Sequence, residues 1–107
     1  MLNPHGDNEK RLRGWLVVFS KSQNNMDYPL YEGKNVIGSS PYANIQVTKE
    51  EIESFHFSIR FTEKDTYLTD FDTISGIYID EKRLYRDVIQ DETIFYIGES
   101  RFLVKFF

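Results

Sequence analysis

A chain of 107 residues supports a single domain, and its side chains favour strands: 39 are Ile, Val, Thr, Phe, Tyr or Trp, against 7 Leu, 2 Met and one alanine, Ala43. That excludes an all-helical bundle, while 6 Gly, 3 Pro and a 40% apolar fraction exclude collagen-like and disordered classes. A net charge of −4 speaks against nucleic-acid binding, and the absence of cysteine excludes disulfide scaffolds, zinc knuckles and thiol nucleophiles.

In chain order, residues 1–13 are polar and irregular, with a small basic knot at Lys10, Arg11 and Arg13, and are expected to form a tail ahead of one domain over 14–107. They lack the apolar stretch of a secretory signal, and no apolar run in the chain reaches the roughly 18 residues of a membrane span. The expected setting is the cytoplasm, or the nucleus in a eukaryote, with no membrane partner. Gly14–Ser20 predicts a strand buried on both faces, since Trp15, Val17 and Phe19 alternate with Leu16 and Val18. Lys21–Asp27 is a polar turn, and strands follow at Tyr28–Tyr31, Asn35–Ile37 and Ile45–Val47, with a loop at Ser39–Asn44 and a charged connection at Thr48–Glu53. The clearest period of two places Phe55, Phe57, Ile59 and Phe61 on one face and His56, Ser58, Arg60 and Thr62 on the other. Thr66–Asp70 and Ile77–Ile79 are further strands, Asp80–Lys82 is a hairpin turn, Arg83–Gln90 is mixed, and Thr93–Ile97 and Arg101–Phe107 close the chain. About ten short strands with regular turn signals predict an all-β sandwich or small barrel.

Catalytic chemistry has little to stand on. Ser54, His56 and Ser58 share a strand face, but neighbours two apart on a strand are about 6–7 Å from one another, too far for a nucleophile and its base. Asp70, Asp72 and Glu81 match three positions of a calcium loop, but Ile74 and Ser75 stand where an oxygen ligand and a glycine are needed. These carboxylates are expected to be surface charge. No metal, cofactor or enzymatic activity is expected. The 16% aromatic content has no basic groove beside it to stack single-stranded nucleic acid.

Four blocks in order resemble the forkhead-associated (FHA) domain family. Val36-Ile37-Gly38-Ser39-Ser40 with Asn44-Ile45 stands where the family reads Ile-Gly-Arg, a small loop and Asp/Asn-Ile. Glu53-Ser54-Phe55-His56-Phe57-Ser58-Ile59 stands at its Ser-Arg-x-His-Ala-x-Ile. Leu68-Thr69-Asp70 through Ser75-Gly76-Ile77 stands at its Leu-x-Asp and Asn-Gly-Thr, and Asp91-Glu92-Thr93-Ile94 with Ile97-Gly98 at its closing strands. The resemblance spans about residues 14–106 and implies a sandwich of about eleven short strands whose apical loops take phosphothreonine peptides.

A phosphate carries about −1.5 to −2 charges and needs cations and donors. Carried over position by position, the resemblance puts Ser39 in place of arginine, Glu53 in place of the phosphate-binding serine, Ser54 in place of the next arginine, Ser75 in place of asparagine and Ile77 in place of threonine. Gly38, His56 and Gly76 keep the residues that hold the family's loops in shape. A carboxylate such as Glu53 repels a dianion: two unit charges 4 Å apart interact by about 1 kcal/mol in water and about 4 at an effective dielectric of 20. Lys49, Arg60 and the hydroxyls of Ser39, Ser40, Ser54 and Ser75 remain as donors.

The resemblance therefore implies a non-enzymatic protein-interaction module, phosphate-independent or with weakened phosphothreonine dependence. Its contact residues are expected at Ser39, Ser40, Lys49, Glu53, Ser54, Thr73 and Ser75, and its partner is a protein or peptide, phosphorylated or not. Alternatives are a genuine phosphothreonine reader, a structural subunit pairing through an exposed last strand, and a small nucleic-acid-binding barrel.

Overall fold

The computed structural model describes residues 10–21 and 24–107, and over these the chain forms eleven strands. In order they are β1 (Leu12–Val18), β2 (Met26–Tyr31), β3 (Gly33–Gly38), β4 (Ile45–Gln46), β5 (Phe57–Phe61) and β6 (Thr66–Asp70). Then come β7 (Ile77–Ile79), β8 (Lys82–Leu84), β9 (Arg86–Ile89), β10 (Thr93–Ile97) and β11 (Ser100–Phe106). They build a six-stranded sheet ordered β2-β1-β11-β10-β7-β8 and a five-stranded sheet ordered β4-β3-β5-β6-β9. Among the described residues no helix is long and apolar enough to cross a membrane.

Alternation along each strand sends one set of side chains between the sheets. Leu16 and Val18 from β1, Phe57, Ile59 and Phe61 from β5, Leu68 from β6, Phe95 and Ile97 from β10, and Phe102 and Val104 from β11 are all buried there. At the centre Phe95 stacks on Phe102 at 5.1 Å between ring centroids, and Phe57 meets both rings edge-on at 5.4 and 5.9 Å. Each such pair adds about 0.5–1.5 kcal/mol beyond the area it buries.

The all-β sandwich agrees with the sequence expectation, and β6, β7 and β10 have the expected limits. Several details differ. β1 begins at Leu12 and is buried on one face only: Trp15 is exposed and Val17 half-buried, because the outer side of the six-stranded sheet faces solvent. Most of the expected tail, residues 1–9, lies outside the described residues, as do residues 22–23 of the Lys21–Asp27 turn. Phe55 precedes β5 and is exposed, while His56 and Ser58 are buried, so burial alternates only over Ile59–Phe61. The mixed segment Arg83–Gln90 contains two strands that belong to different sheets.

The hairpin between β7 and β8 has a two-residue turn, Asp80-Glu81, with φ of 49° and 67°. Two consecutive left-handed residues are the geometry that matches the twist of the flanking strands. The last strand, β11, is not an edge: it runs between β1 and β10. The alternative in which a partner pairs onto an exposed last strand does not hold, since both sides of β11 are already bonded.

Candidate functional site: an apex of three tied loops

Three loops meet at one end of the sandwich. The backbone leaving β3 is fastened to the segment before β5 by Ser39 N–H to Glu53 O at 2.9 Å, Ser40 N–H to Ser54 O at 3.1 Å and His56 N–H to Ile37 O at 2.9 Å. The approach is so close that a Cβ added at Gly38 would overlap the carbonyl oxygen of Ser54. Glycine is the residue that permits it.

Beneath the loops lies a buried polar network. The Glu53 N–H donates to His56 Nδ1 at 3.1 Å, so Nδ1 is the acceptor and the ring proton sits on Nε2. Nε2 is 3.2 Å from both the Gly76 carbonyl and Thr73 Oγ1. The Thr73 hydroxyl donates to Asp70 Oδ1 at 2.6 Å and accepts the Gly76 N–H at 2.9 Å, while the Thr73 N–H donates to Asp70 Oδ2 at 3.0 Å. Arg83 Nη2 stands 3.7 Å from Asp70 Oδ2 and donates to the Thr73 carbonyl. Gly76 has φ +75°, and a Cβ there would also press on the Arg83 guanidinium. The loop 72–76 is therefore moulded from within the chain by His56, Asp70 and Arg83.

The third tie is a side chain. Glu53 Oε2 accepts the Ile74 N–H at 2.8 Å, the Ser75 N–H at 3.1 Å and the Ser75 hydroxyl at 3.4 Å. These donors, the Ser75 amide foremost, hold the Glu53 carboxyl below the ordinary glutamate range, against a smaller opposing desolvation. Two adjacent backbone N–H groups converging on one oxygen form an anion-binding nest, and here the anion belongs to the chain.

Of the residues singled out by sequence, Ser39, Ser40, Glu53, Ser54 and Ser75 are brought together in this apex, on the scaffold of Gly38, His56 and Gly76. Four depart from expectation. Thr73 is only 5% exposed and spends its hydroxyl on Asp70, His56 and Gly76, so it shapes the loop from within and faces no ligand. Lys49 lines a separate depression of about 240 Å³ with Val18, Met26 and Tyr28. Arg60 stands in mid-strand on the outer face of the five-stranded sheet, opposite Lys34. Asp70, expected as surface charge, is buried. Arg83 was missed: it comes from β8, in the other sheet, and nothing in its local sequence ties it to a loop ten residues away.

Comparison with known proteins agrees with this architecture. The family model for the FHA domain matches residues 35–98. Among solved structures, the FHA domain of the CT664 protein from Chlamydia trachomatis superposes with a TM-score of 0.79 at 18% identity, covering 89% of this chain and 98% of that one. The yeast Dun1 FHA domain, in complex with a doubly phosphorylated peptide derived from Rad53, gives 0.78 at 18% identity over 92% of this chain and 77% of that one. Mycobacterium tuberculosis EmbR, in complex with a low-affinity phosphopeptide, gives 0.76 at 17% identity over 89% of this chain and 24% of that one. Among curated protein sequences no match is found. With more than half of its length matched by the family model, and with the fold of these relatives, the chain belongs to the FHA domain family.

Proposed function

We propose that this chain is a non-enzymatic protein-interaction domain whose apical loops engage a protein or peptide partner without requiring phosphate. The observation that supports this is the Glu53 carboxylate seated on the Ile74 and Ser75 amides. An incoming phosphate would have to displace an internal anion from those donors and then lie beside it. No arginine or lysine is present in 38–44 or 50–56 to offset that repulsion. Two of the similar solved structures are complexes with phosphopeptides, and the reading that the apex is the contact surface is supported by loops on a rigid sandwich being where binding is commonly carried. On this reading the domain needs neither metal nor cofactor.

The test is a titration of matched phosphothreonine and unphosphorylated peptide pools by fluorescence anisotropy. Phosphate is expected to improve affinity by no more than about threefold, under 1 kcal/mol. Saturable binding that depends on the phosphate would reject the proposal.

A further inference from the structure

We infer that the apex recognises an unphosphorylated segment carrying apolar side chains flanked by Lys or Arg, an inference that rests on the phosphate-independent reading above. Each of the three loops places one large apolar side chain in solvent: Tyr42 is 89% exposed, Phe55 47% and Ile74 91%. They project from backbone that is already fixed. The Tyr42 N–H bonds Ser40 Oγ, Ser40 N–H bonds the carbonyl of Ser54, the residue before Phe55, and the Ile74 N–H is held by Glu53. Presenting apolar side chains from ordered loops lowers the entropy lost when a partner covers them. Folding does not account for side chains so exposed, and a polar residue would serve a solvent-facing loop as well.

Charge selects the partner. Across 39–44, 48–55 and 71–76 there are four acidic residues, Glu50, Glu51, Glu53 and Asp72, against one cation, Lys49, which lines a separate depression. A surface of that sign slows and weakens the approach of phosphopeptides, nucleic acids and anionic lipid, and steers cationic segments toward the three apolar contacts. Apolar burial supplies affinity, and the rim of carboxylates supplies the choice of sequence. The outward face of the six-stranded sheet also exposes Trp15, Ile94 and Tyr96, but its charge differs from the apex: Lys105 is paired with Glu92 at 3.4 Å and the exposed Arg101 stands opposite Tyr96. It serves as the control surface.

Unphosphorylated peptides with an aromatic or aliphatic centre, flanked by Lys/Arg, by Ser or by Glu, are titrated alongside the phosphothreonine pool. The Lys/Arg set is expected to bind tightest, by at least about tenfold over the Glu set, and to weaken as salt is raised. Tyr42→Ser and Ile74→Ser should each weaken it about fivefold or more, Glu50→Lys should erase the flank preference, and Ile94→Ser should change nothing. All four positions are exposed, and an unchanged thermal midpoint verifies folding. Indifference to the flanks, wild-type binding by both apical serine variants, or loss of binding in Ile94→Ser would overturn this inference alone. Phosphothreonine peptides binding best would overturn it together with the reading on which it rests.

Discussion

Glu53 and Ser75 lie 22 residues apart, yet Oε2 of the first accepts both the N–H, at 3.1 Å, and the hydroxyl, at 3.4 Å, of the second. With the Ile74 N–H on the same oxygen, the carboxylate adds a side-chain tie between two apical loops whose bases are bonded by the Phe71 N–H to the His56 carbonyl at 2.9 Å. The consequences of that tie are accessible to experiment.

The first is a pH dependence. The Glu53 carboxyl titrates below its unfolded value because Ser75 and Ile74 donate to the charged form. A depressed folded value means that the tie stabilises the protein above the unfolded value and that this contribution is lost as pH falls through the folded one. The Ile74 and Ser75 amide resonances should therefore move together on acidification, below the ordinary glutamate range. In Glu53→Gln that coupled titration should vanish, while amides in β5 and β11 stay still. Unchanged titration in the variant would refute the assignment.

Restoring the phosphate ligands is a second test. Ser39→Arg with Glu53→Ser and Ser75→Asn removes the internal anion, frees the Ile74 amide and adds a cation where β3 ends. The triple variant should gain at least about tenfold in phosphothreonine-peptide affinity, as expected for one charge-assisted contact. Isothermal titration measures the gain. A folded variant without it would show that the loops are assigned wrongly.

Arg83 makes the third. Its guanidinium stands 3.7 Å from the fully buried carboxylate of Asp70, and its own side chain is 28% exposed. Arg83→Met leaves that carboxylate without a cation and should cost about 2–3 kcal/mol in urea denaturation, at or below the lower end for buried pairs because one partner reaches solvent. Asp70→Asn added to Arg83→Met should recover part of the loss, a coupling that a double-mutant cycle reads directly.

Gly38→Ala tests the close approach of the β3 loop to Ser54. The new methyl group meets backbone, which cannot rotate away. A loss of about 3 kcal/mol is expected, the upper part of the usual range for overpacking, measurable as a lowered urea midpoint.

How far the sequence carried depends on the range of the interaction. Thr66–Asp70, Ile77–Ile79 and Thr93–Ile97 were legible because alternation and flanking turns are local signals. The apolar run at Gly14–Ser20 was ambiguous: Trp15 and Val17 suit an interior, and only the sheet order shows that their face meets solvent. At the apex, substitution of the phosphate-ligand positions could be read residue by residue, and Glu53 was recognisable as a repulsive charge. Its bonds to Ile74 and Ser75 could not be read, since they depend on two loops meeting in space. For the same reason the sequence alone marks Asp70 as surface charge, although Arg83, from the opposite sheet, stands 3.7 Å from its buried carboxylate.

The pairing of Gly14 with Phe106 brings the first and last strands side by side. Phe106 and Arg13 both pack on Phe61, the end of β5 farthest from His56 and the apical loops. Both ends of the domain thus emerge at the pole opposite the contact surface. A fluorophore, an affinity handle or a surface tether attached at Phe107 should hang from that far pole and leave the apex unobstructed. The same geometry would let the domain be spliced into a loop of a host protein as a protruding knob, its contact face outermost.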